Sequence, residues 1–220
     1  MIKAAIFDFD GTIANTLFDL QDSINEALKM NGFSREYTFE ETKYLVGSGI
    51  RILCTRALSY KEHTLEQEEQ VFSDFKKCYE KNQFNKTKPY PHVVETLLKL
   101  KEKGIKLAIL SNKKQSNTEE ITDYIFPKDL FTKVIGQQEG VPIKPDPTSL
   151  NRLISTLGVS KDEVLYVGDS DSDMMVANNA KVKKVGVTYG YRKKEEIEKY
   201  HPDYFIDDFE EIIQVIEKIK

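Results

Sequence analysis

Residues 3–12 read KAAIFDFDGT, a short apolar run that ends in two acids, a glycine and a threonine. The segment Lys3 to Phe9, which contains this apolar run, predicts a buried β-strand. Side chains alternate along a strand, so Asp8 and Asp10 are expected to leave the same face as the chain exits it. Two carboxylates held together resist joint ionisation unless a cation lies near them. The stretch therefore predicts a core strand that carries a pair of acids at its carboxyl end.

Short apolar runs alternate with amphipathic stretches along the rest of the chain. The further predicted strands are residues 106–110, 133–136, 164–167, 183–187 and, at an edge, 204–206. The predicted helices between them are residues 91–103, 115–125, 147–157, 172–180 and 209–219. Continuous apolar strands that alternate with helices are typical of a parallel sheet covered on both faces. The predicted fold class is therefore α/β, with a doubly wound, mostly parallel sheet.

Residues 16–86 break this alternation, because they carry no strand signal. Apolar residues recur at helical spacing from Leu17 to Leu28, and Thr38 followed by Glu41 predicts a capping box. The chain returns to the α/β pattern through a proline-containing linker at residues 87–91. We therefore predict two domains, an α/β core made of residues 1–15 and 87–220 and an inserted helical domain made of residues 16–86.

The composition excludes several classes of function. The chain has 220 residues and a net charge of -4, so it has no electrostatic reason to bind nucleic acid non-specifically. No apolar run approaches the roughly 20 residues of a membrane helix, and the N-terminus lacks the basic region and cleavage site of a signal peptide. Two cysteines make no disulfide framework. We expect a cytoplasmic protein with a small-molecule substrate and no membrane partner, either a monomer or a weak homodimer.

Acids also follow the strand predicted at residues 164–167, where the sequence reads Gly168-Asp169-x-x-x-Asp173. Ligands bind outside the carboxyl ends of the strands in open parallel sheets, so Asp169 is predicted to join Asp8 and Asp10 at one ion. Oxygen ligands without imidazole or thiolate favour Mg²⁺. The alternative is structural, with Asp8 and Asp10 capping a turn and Asp169 capping a helix.

A second set of polar groups is suited to an anion. Gly11 and Thr12 offer backbone amides and a hydroxyl, Ser111 offers a hydroxyl, Asn112 offers a backbone N–H, and Lys144 adds a positive charge. Amides, hydroxyls and an ammonium group around a metal ion predict a site for a phosphate dianion. Taken alone, Ser111 and Asn112 can equally cap a helix, and Lys144 can be a solvated loop residue.

Four motifs occur in order along the chain: Asp8-x-Asp10-Gly11-Thr12, Ser111-Asn112, Lys144-Pro145 and Gly168-Asp169-x-x-x-Asp173. Together they resemble the four motifs of the haloacid dehalogenase (HAD) superfamily. The resemblance implies a Rossmann-like core and makes residues 16–86 its α-helical cap domain. The segments Leu45–Gly49, Ser111–Lys113 and Val187–Tyr191 are similar to those of phosphoglycolate-phosphatase-like members.

The resemblance also implies an activity, hydrolysis of a small phosphate monoester by a Mg²⁺-dependent phosphatase. The residue roles below rest on this likeness. Asp8 resembles the nucleophile that forms an aspartyl-phosphate. Asp10 resembles the general acid that protonates the leaving oxygen and then the base that activates water. Lys144 resembles the lysine that neutralises charge in the transition state, and Ser111 a phosphate ligand. Asp169 resembles a Mg²⁺ ligand acting with Asp8 and the Asp10 backbone carbonyl.

The same resemblance makes Asp173 a support of the metal site, and it leaves several points open. A sugar-phosphate mutase of the β-phosphoglucomutase type and a pyrophosphatase use the same scaffold. A phospho-accepting receiver module also groups acids and a lysine at strand ends, but it is shorter and has no helical insert. The pair Asn15-Thr16 departs from the Asp-Ser of the subfamily, which leaves cap closure and substrate choice open. The segment Gly47–Gly49 is either a plain turn or a substrate-contacting loop, from which Arg51 would reach a substrate carboxylate.

Overall fold

The structure is a computed structural model that describes residues 1–219, so the last residue of the predicted core lies outside the described residues. The chain divides into two compact units. An α/β unit contains Met1–Ala14 and the chain from Pro89 onward, and a helical unit contains Asn15–Lys88. The predicted domain boundaries lie within one or two residues of this division.

Eight strands occur among the described residues. In chain order they are β1 (Ala4–Phe7), β2 (Ala14–Asn15), β3 (Lys88–Pro89), β4 (Lys106–Lys114), β5 (Lys133–Gln137), β6 (Val164–Gly168), β7 (Lys183–Val187) and β8 (Tyr204–Ile206). β2 pairs with β3, and the other six form one sheet in the order β5-β4-β1-β6-β7-β8. Every neighbouring pair in that sheet is parallel.

The strand order confirms the predicted doubly wound α/β fold. Renumbered along the chain, the six strands lie in the order 3-2-1-4-5-6, in which the winding reverses beside the first strand. Right-handed crossovers on the two sides of such a switch point place helices on opposite faces of the sheet. β1 lies in the middle and is fully buried. Two of its residues, Ala4 and Ile6, pack in one apolar cluster with Tyr166 and Leu153.

The helical unit contains four α-helices among its residues. They are α1 (Leu17–Met30), α2 (Phe39–Leu45), α3 (Ile50–Leu58) and α4 (Leu65–Asn82). The predicted capping box starts α2, because Thr38 Oγ1 accepts from the Glu41 amide and Glu41 Oε2 accepts from the Thr38 amide. This unit is therefore the predicted helical insert.

The α/β unit contains the remaining helices. They are α5 (Val93–Glu102), α6 (Gln115–Ile125), α7 (Thr148–Leu157), α8 (Asp171–Ala180), α9 (Lys194–Glu198) and α10 (Ile212–Lys218), with 3₁₀ turns at Lys161–Glu163 and Phe209–Glu211. The short α9 was not predicted, since five residues give too little periodicity to detect. None of the helices among residues 1–219 has the length and hydropathy needed to cross a membrane.

The largest difference from the sequence prediction concerns β4. The apolar pattern ends at Leu110, whereas the strand continues to Lys114 with a register shift against β5 after Leu110. The polar segment Ser111–Lys113 therefore belongs to an irregular strand end and not to a loop. A strand end fixes the direction of its side chains more tightly than a loop does, which matters for the residues described next.

Candidate active site

The predicted motif residues of the α/β unit meet at the carboxyl edge of the sheet. β1 lies between the parallel strands β4 and β6. Asp8 follows β1, Asp169 follows β6, and Ser111 lies in the last part of β4. The Asp8 amide donates to the Val167 carbonyl at 2.9 Å, which ties the first acid to the end of β6. Lys144 enters from the segment after β5, and its peptide bond to Pro145 is cis.

Lys144 links two of the acids. Its Nζ lies 2.7 Å from Asp8 Oδ1 and 2.7 Å from Asp173 Oδ1, and it donates to the Leu110 carbonyl at 3.2 Å. All three charged side chains are buried. Buried charges persist only when they are paired, so this lysine compensates part of the negative charge of the site.

Asp169 lies among donors from three segments. Its Oδ1 accepts from Thr12 Oγ1 at 3.2 Å, and its Oδ2 accepts from the Tyr191 amide at 2.7 Å. The backbone at Gly190 approaches so closely that a Cβ there would collide with the Asp169 side chain. Glycine at position 190, in the segment that follows β7, allows the backbone to come this close to the carboxylate.

Asp173, at the start of α8, uses both oxygens for contacts within the protein. Oδ1 accepts from Lys144 Nζ and from the Tyr166 hydroxyl at 3.0 Å. Oδ2 accepts from the Ser170 amide at 3.1 Å, from the Ser170 hydroxyl and, at 3.3 Å, from the Asp169 amide. Asp173 is therefore bonded to its neighbours through both oxygens, and its support of a metal site stays a prediction.

The pKa values in this group reflect crowding of acids. Burial, then the charge of Asp173, raise the pKa of Asp8 well above its usual range, although Lys144 opposes the rise. Burial and the charge of Asp173 raise the pKa of Asp169 to about 7. Burial opposes the charged form of Lys144, but Asp173 and Asp8 outweigh it and raise that pKa. The acids thus outnumber the one lysine that contacts them.

These acids form a candidate metal centre. One oxygen of each of Asp8, Asp169 and Asp173 lies within 4.8 Å of the others, and we call these three residues the carboxylate cluster. Its donors are oxygens only, a set that hard divalent cations prefer. The Asp10 carboxylate, which was included among the predicted metal residues, lies outside this cluster and pairs with Lys113 instead.

The predicted phosphate-binding residues lie at the same edge but already make internal contacts. The Gly11 amide donates to the Ala14 carbonyl at 3.0 Å, and the Thr12 hydroxyl donates to Asp169. The Ser111 hydroxyl accepts from the Lys113 amide at 3.2 Å. Binding a phosphate through these groups would replace or share those bonds, so their role stays a prediction.

Asn112 has a contact that the sequence did not indicate. Its side chain donates to the Lys144 carbonyl at 3.1 Å and accepts from the Lys144 amide at 2.8 Å. The amide group thus holds the backbone of Lys144 from both sides, as a neighbouring strand would. Asn112 therefore fixes the position from which Lys144 reaches Asp8.

The helical unit contains the other segment singled out from the sequence. Arg51 forms an ion pair with Glu69, and its guanidinium lies 4.0 Å from the centroid of the Phe72 ring. Ser48 Oγ accepts from Arg56 at 3.2 Å. Arg51 would have to leave Glu69 before it could bind a substrate carboxylate, so this structure gives that hypothesis no support.

Three contact residues of the site were missed. Tyr166 and Ser170 bind Asp173, and Lys113 binds Asp10. A tyrosine inside the otherwise apolar run at residues 164–168 was a usable signal, because a buried hydroxyl needs a partner. The spacing of Ser170 and Asp173 was also a usable capping signal. Lys113 gave no such signal, since nothing in its spacing relates it to Asp10.

Comparison with known proteins identifies the family and agrees with the fold. The chain belongs to the haloacid dehalogenase-like hydrolases, because residues 5–187 match that family. Over nearly its whole length it is similar to phosphoglycolate phosphatases. It is 36% identical over 217 residues to the one from Mannheimia succiniciproducens, with 96% of both chains covered. It is 33% identical over 222 residues to the one from Psychrobacter arcticus, with 97% of this chain and 95% of the relative covered.

Solved structures show the same architecture. A crystal structure from Haemophilus somnus, described as a predicted phosphoglycolate phosphatase, superposes with a TM-score of 0.92 at 33% identity and covers 97% of each chain. The family and fold indicated by the four motifs are therefore confirmed, including the phosphoglycolate-phosphatase-like branch.

Proposed function

We propose that the protein is a Mg²⁺-dependent phosphatase that hydrolyses a small phosphate monoester, of the size and charge of phosphoglycolate, through an aspartyl-phosphate on Asp8. The observation that carries the proposal is the setting of Asp8, a buried carboxylate 2.7 Å from Lys144 Nζ and within the carboxylate cluster. The full-length similarity to phosphoglycolate phosphatases supports the substrate class.

The first half of the reaction forms a bond between Asp8 and phosphorus. An oxygen of Asp8 attacks phosphorus, and the bond between phosphorus and the ester oxygen breaks. The Asp10 carboxyl gives its proton to the departing oxygen, which leaves as an alcohol. Lys144 contacts Asp8 and is placed to offset the charge that develops there.

The second half returns the enzyme to its starting state. Water attacks the phosphorus of the aspartyl-phosphate while the Asp10 carboxylate accepts a proton from it. The bond between phosphorus and Asp8 breaks, and inorganic phosphate leaves with Asp8 again a carboxylate. Gly11, Thr12, Ser111 and the Asn112 amide are proposed to hold the phosphate oxygens, and the helical unit is proposed to act as the cap.

The carboxylate cluster fits the implied metal. Asp8 and Asp169 would hold Mg²⁺ with the Asp10 backbone carbonyl, and Asp173, both of whose oxygens already accept hydrogen bonds, would support them. A bound Mg²⁺ supplies positive charge that neutralises the phosphate oxygens.

The test is a phosphate-release assay on purified protein with phosphoglycolate, other small phosphate esters and pyrophosphate. Each substrate is assayed with Mg²⁺ and with EDTA, and wild type is compared with Asp8→Asn and with the matched exposed variant Asp162→Asn. We expect Mg²⁺-dependent turnover in wild type and Asp162→Asn and none in Asp8→Asn. Activity that persists in Asp8→Asn would disprove the assignment of Asp8 as the nucleophile.

The alternatives predict other outcomes of the same assay. Turnover of pyrophosphate in preference to every ester would indicate a pyrophosphatase. Conversion of a sugar phosphate to its isomer, with a lag that a bisphosphate activator removes, would indicate a mutase. A phosphorylated Asp8 that persists in the native protein for minutes to hours, as sampled by acid quench at successive times, would indicate a receiver-like function.

A further inference from the structure

Lys113 is a buried cation that the reaction described above does not use. Its Nζ lies 3.0 Å from Asp10 Oδ1 and 3.1 Å from Asp10 Oδ2. The lysine side chain is 3% exposed and the Asp10 side chain is 20% exposed. An ammonium group that contacts both oxygens restricts rotation of the carboxyl plane, and the partial exposure leaves Asp10 an open side.

The backbone of Lys113 is held from three directions. Its amide donates to Ser111 Oγ, and its carbonyl accepts from Thr118 Oγ1 of α6 at 3.2 Å. On the β5 side, a Cβ at Gly136 would lie 2.6 Å from the Lys113 carbonyl oxygen, so β5 packs directly against this peptide. Lys113 is therefore built into the strand end, in contrast to its exposed neighbour Lys114.

The two buried lysines of the site contact different acids. Lys144 contacts Asp8 and Asp173, whereas Lys113 contacts Asp10. A group that transfers a proton must lie within hydrogen-bond reach of the reacting oxygen and face it. The backbone of Lys113 is fixed at the end of β4, so its side chain can impose that orientation on the Asp10 carboxyl.

We propose that Lys113 is a positioning residue that holds the Asp10 carboxyl in the orientation from which it gives its proton to the leaving oxygen. The proposal rests on the proposed function. The ammonium contacts both oxygens of Asp10, at 3.0 and 3.1 Å, and so fixes the plane of the carboxyl group that carries the proton. As the bond from phosphorus to the leaving oxygen breaks, that proton passes to the leaving oxygen. The Asp10 carboxylate that results stays bound to Lys113.

This role predicts a dependence on the leaving group. An alkoxide, as from phosphoglycolate, is a poor leaving group that needs the proton, whereas p-nitrophenolate is stable without it. Replacing Lys113 should therefore slow the release of an alcohol and have little effect on the release of p-nitrophenolate. The ratio of the two kcat values measures the loss.

The experiment measures kcat and KM on phosphoglycolate and on p-nitrophenyl phosphate for wild type, Lys113→Met, Lys113→Arg and the matched control Lys114→Met. We expect Lys113→Met to lower kcat about 10- to 100-fold on phosphoglycolate, less than the roughly 10²- to 10⁴-fold of general acid catalysis because Asp10 itself remains, and less than about threefold on p-nitrophenyl phosphate. Lys113→Arg should restore part of the difference, and Lys114→Met should behave as wild type.

Three results would overturn the proposal. An equal loss of kcat on both substrates would mean that Lys113 only maintains structure. A rise in KM for phosphoglycolate with unchanged kcat would mean that Lys113 binds the substrate carboxylate.

Thermal melting checks that each variant folds, and Lys113→Gln takes the place of Lys113→Met if that variant does not. A wild type that releases phosphate from no ester defeats the proposed function itself, whereas active wild type with unchanged Lys113 variants defeats only the role of Lys113.

Discussion

Buried carboxylates occur in both units of the chain, but their surroundings differ. In the α/β unit, Asp169 lies beside Asp8 and Asp173, and its pKa is raised to about 7. In the helical unit, Asp74 accepts from Gln70 at 2.9 Å, from Lys77 at 2.9 Å and from Asn31 at 3.1 Å. These bonds lower the pKa of Asp74 to about 2.

Asp19 of the helical unit extends the contrast. It is fully buried, and its oxygens accept from the Lys86 amide, the Thr87 amide and the Thr87 hydroxyl at 2.8–3.1 Å. A carboxylate surrounded by donors stabilises the fold, whereas the acids of the carboxylate cluster carry more negative charge than Lys144 offsets, so a further cation would stabilise them. The balance of donors and acids around a buried acid thus separates structural positions from candidate functional ones.

The largest effect that would test this contrast is on activity. Asp169→Asn should lower kcat/KM by about 100-fold or more, since even residues that only support a metal ligand cost 10- to 100-fold. Because the substitution removes one acid from a crowded group, thermal stability should not fall. The check is steady-state kinetics with a melting curve. An active Asp169→Asn protein would contradict the assignment of the cluster.

The next effect is on stability and needs no substrate. Mg²⁺ at about 100 times its dissociation constant should stabilise the wild type by about 2.7 kcal/mol relative to EDTA. For a chain of this length that is a rise in Tm of about 5–10 °C. Scanning fluorimetry with Mg²⁺ and with EDTA measures it. The rise should vanish in Asp169→Asn and persist in Asp162→Asn, and its absence in wild type would argue against a metal at the cluster.

Replacing Asp19 should lower stability, in contrast to Asp169→Asn, which should lower activity without lowering stability. Asp19→Ala leaves the buried Thr87 amide and hydroxyl and the partly buried Lys86 amide without their acceptor, so we expect a loss of about 3 kcal/mol in the free energy of unfolding. Asp19→Asn retains one acceptor oxygen and should lose less. Urea unfolding of both variants provides the measurement. If Asp19→Ala were as stable as the wild type, the number of hydrogen-bond donors around a buried acid would not indicate that the acid stabilises the fold.

The smallest effect is a dependence on pH. The pKa of Asp74 is lowered from 3.8 to about 2 in the fold, so its contribution is complete above pH 3.8 and is lost as the pH falls toward 2. Asp74→Asn should lower the free energy of unfolding by less than about 1 kcal/mol at pH 6, because its charged partner Lys77 is exposed to solvent. The difference from wild type should shrink between pH 4 and pH 2, as measured by urea unfolding. A difference that stays constant over that range would show that Asp74 does not titrate as described.

Much of the fold was predictable from the sequence because parallel strands are buried on both faces. Residues 4–7 are apolar throughout, and residues 164–167 are apolar except for the Tyr166 hydroxyl; this pattern distinguishes them from the amphipathic helices. The grouping of Asp8 with Asp169 followed from the rule that the carboxyl ends of parallel strands share an edge. Both inferences needed only periodicity and topology.

What could not be predicted depends on side-chain paths. The pairing of Lys113 with Asp10 requires β4 to continue past its apolar part with a shifted register, and no periodicity records that. The bond from Asn112 to the Lys144 backbone spans 32 residues and depends on how the segment after β5 returns. Arg51 forms an ion pair with Glu69 of α4, and the sequence does not determine the side-chain rotamers on which this pair depends.

The central position of β1 has a consequence for the growing chain. Ala4 pairs with Lys106 on one side and with Val164 on the other. At roughly 5–20 residues per second, the first strand waits about 5–20 s for its first neighbour to leave the ribosome. The helical unit ends at Lys88, so all of its contacts are available during that delay. Residues synthesised second can therefore fold first, and the strand that carries Asp8 is exposed to chaperones until β4 emerges.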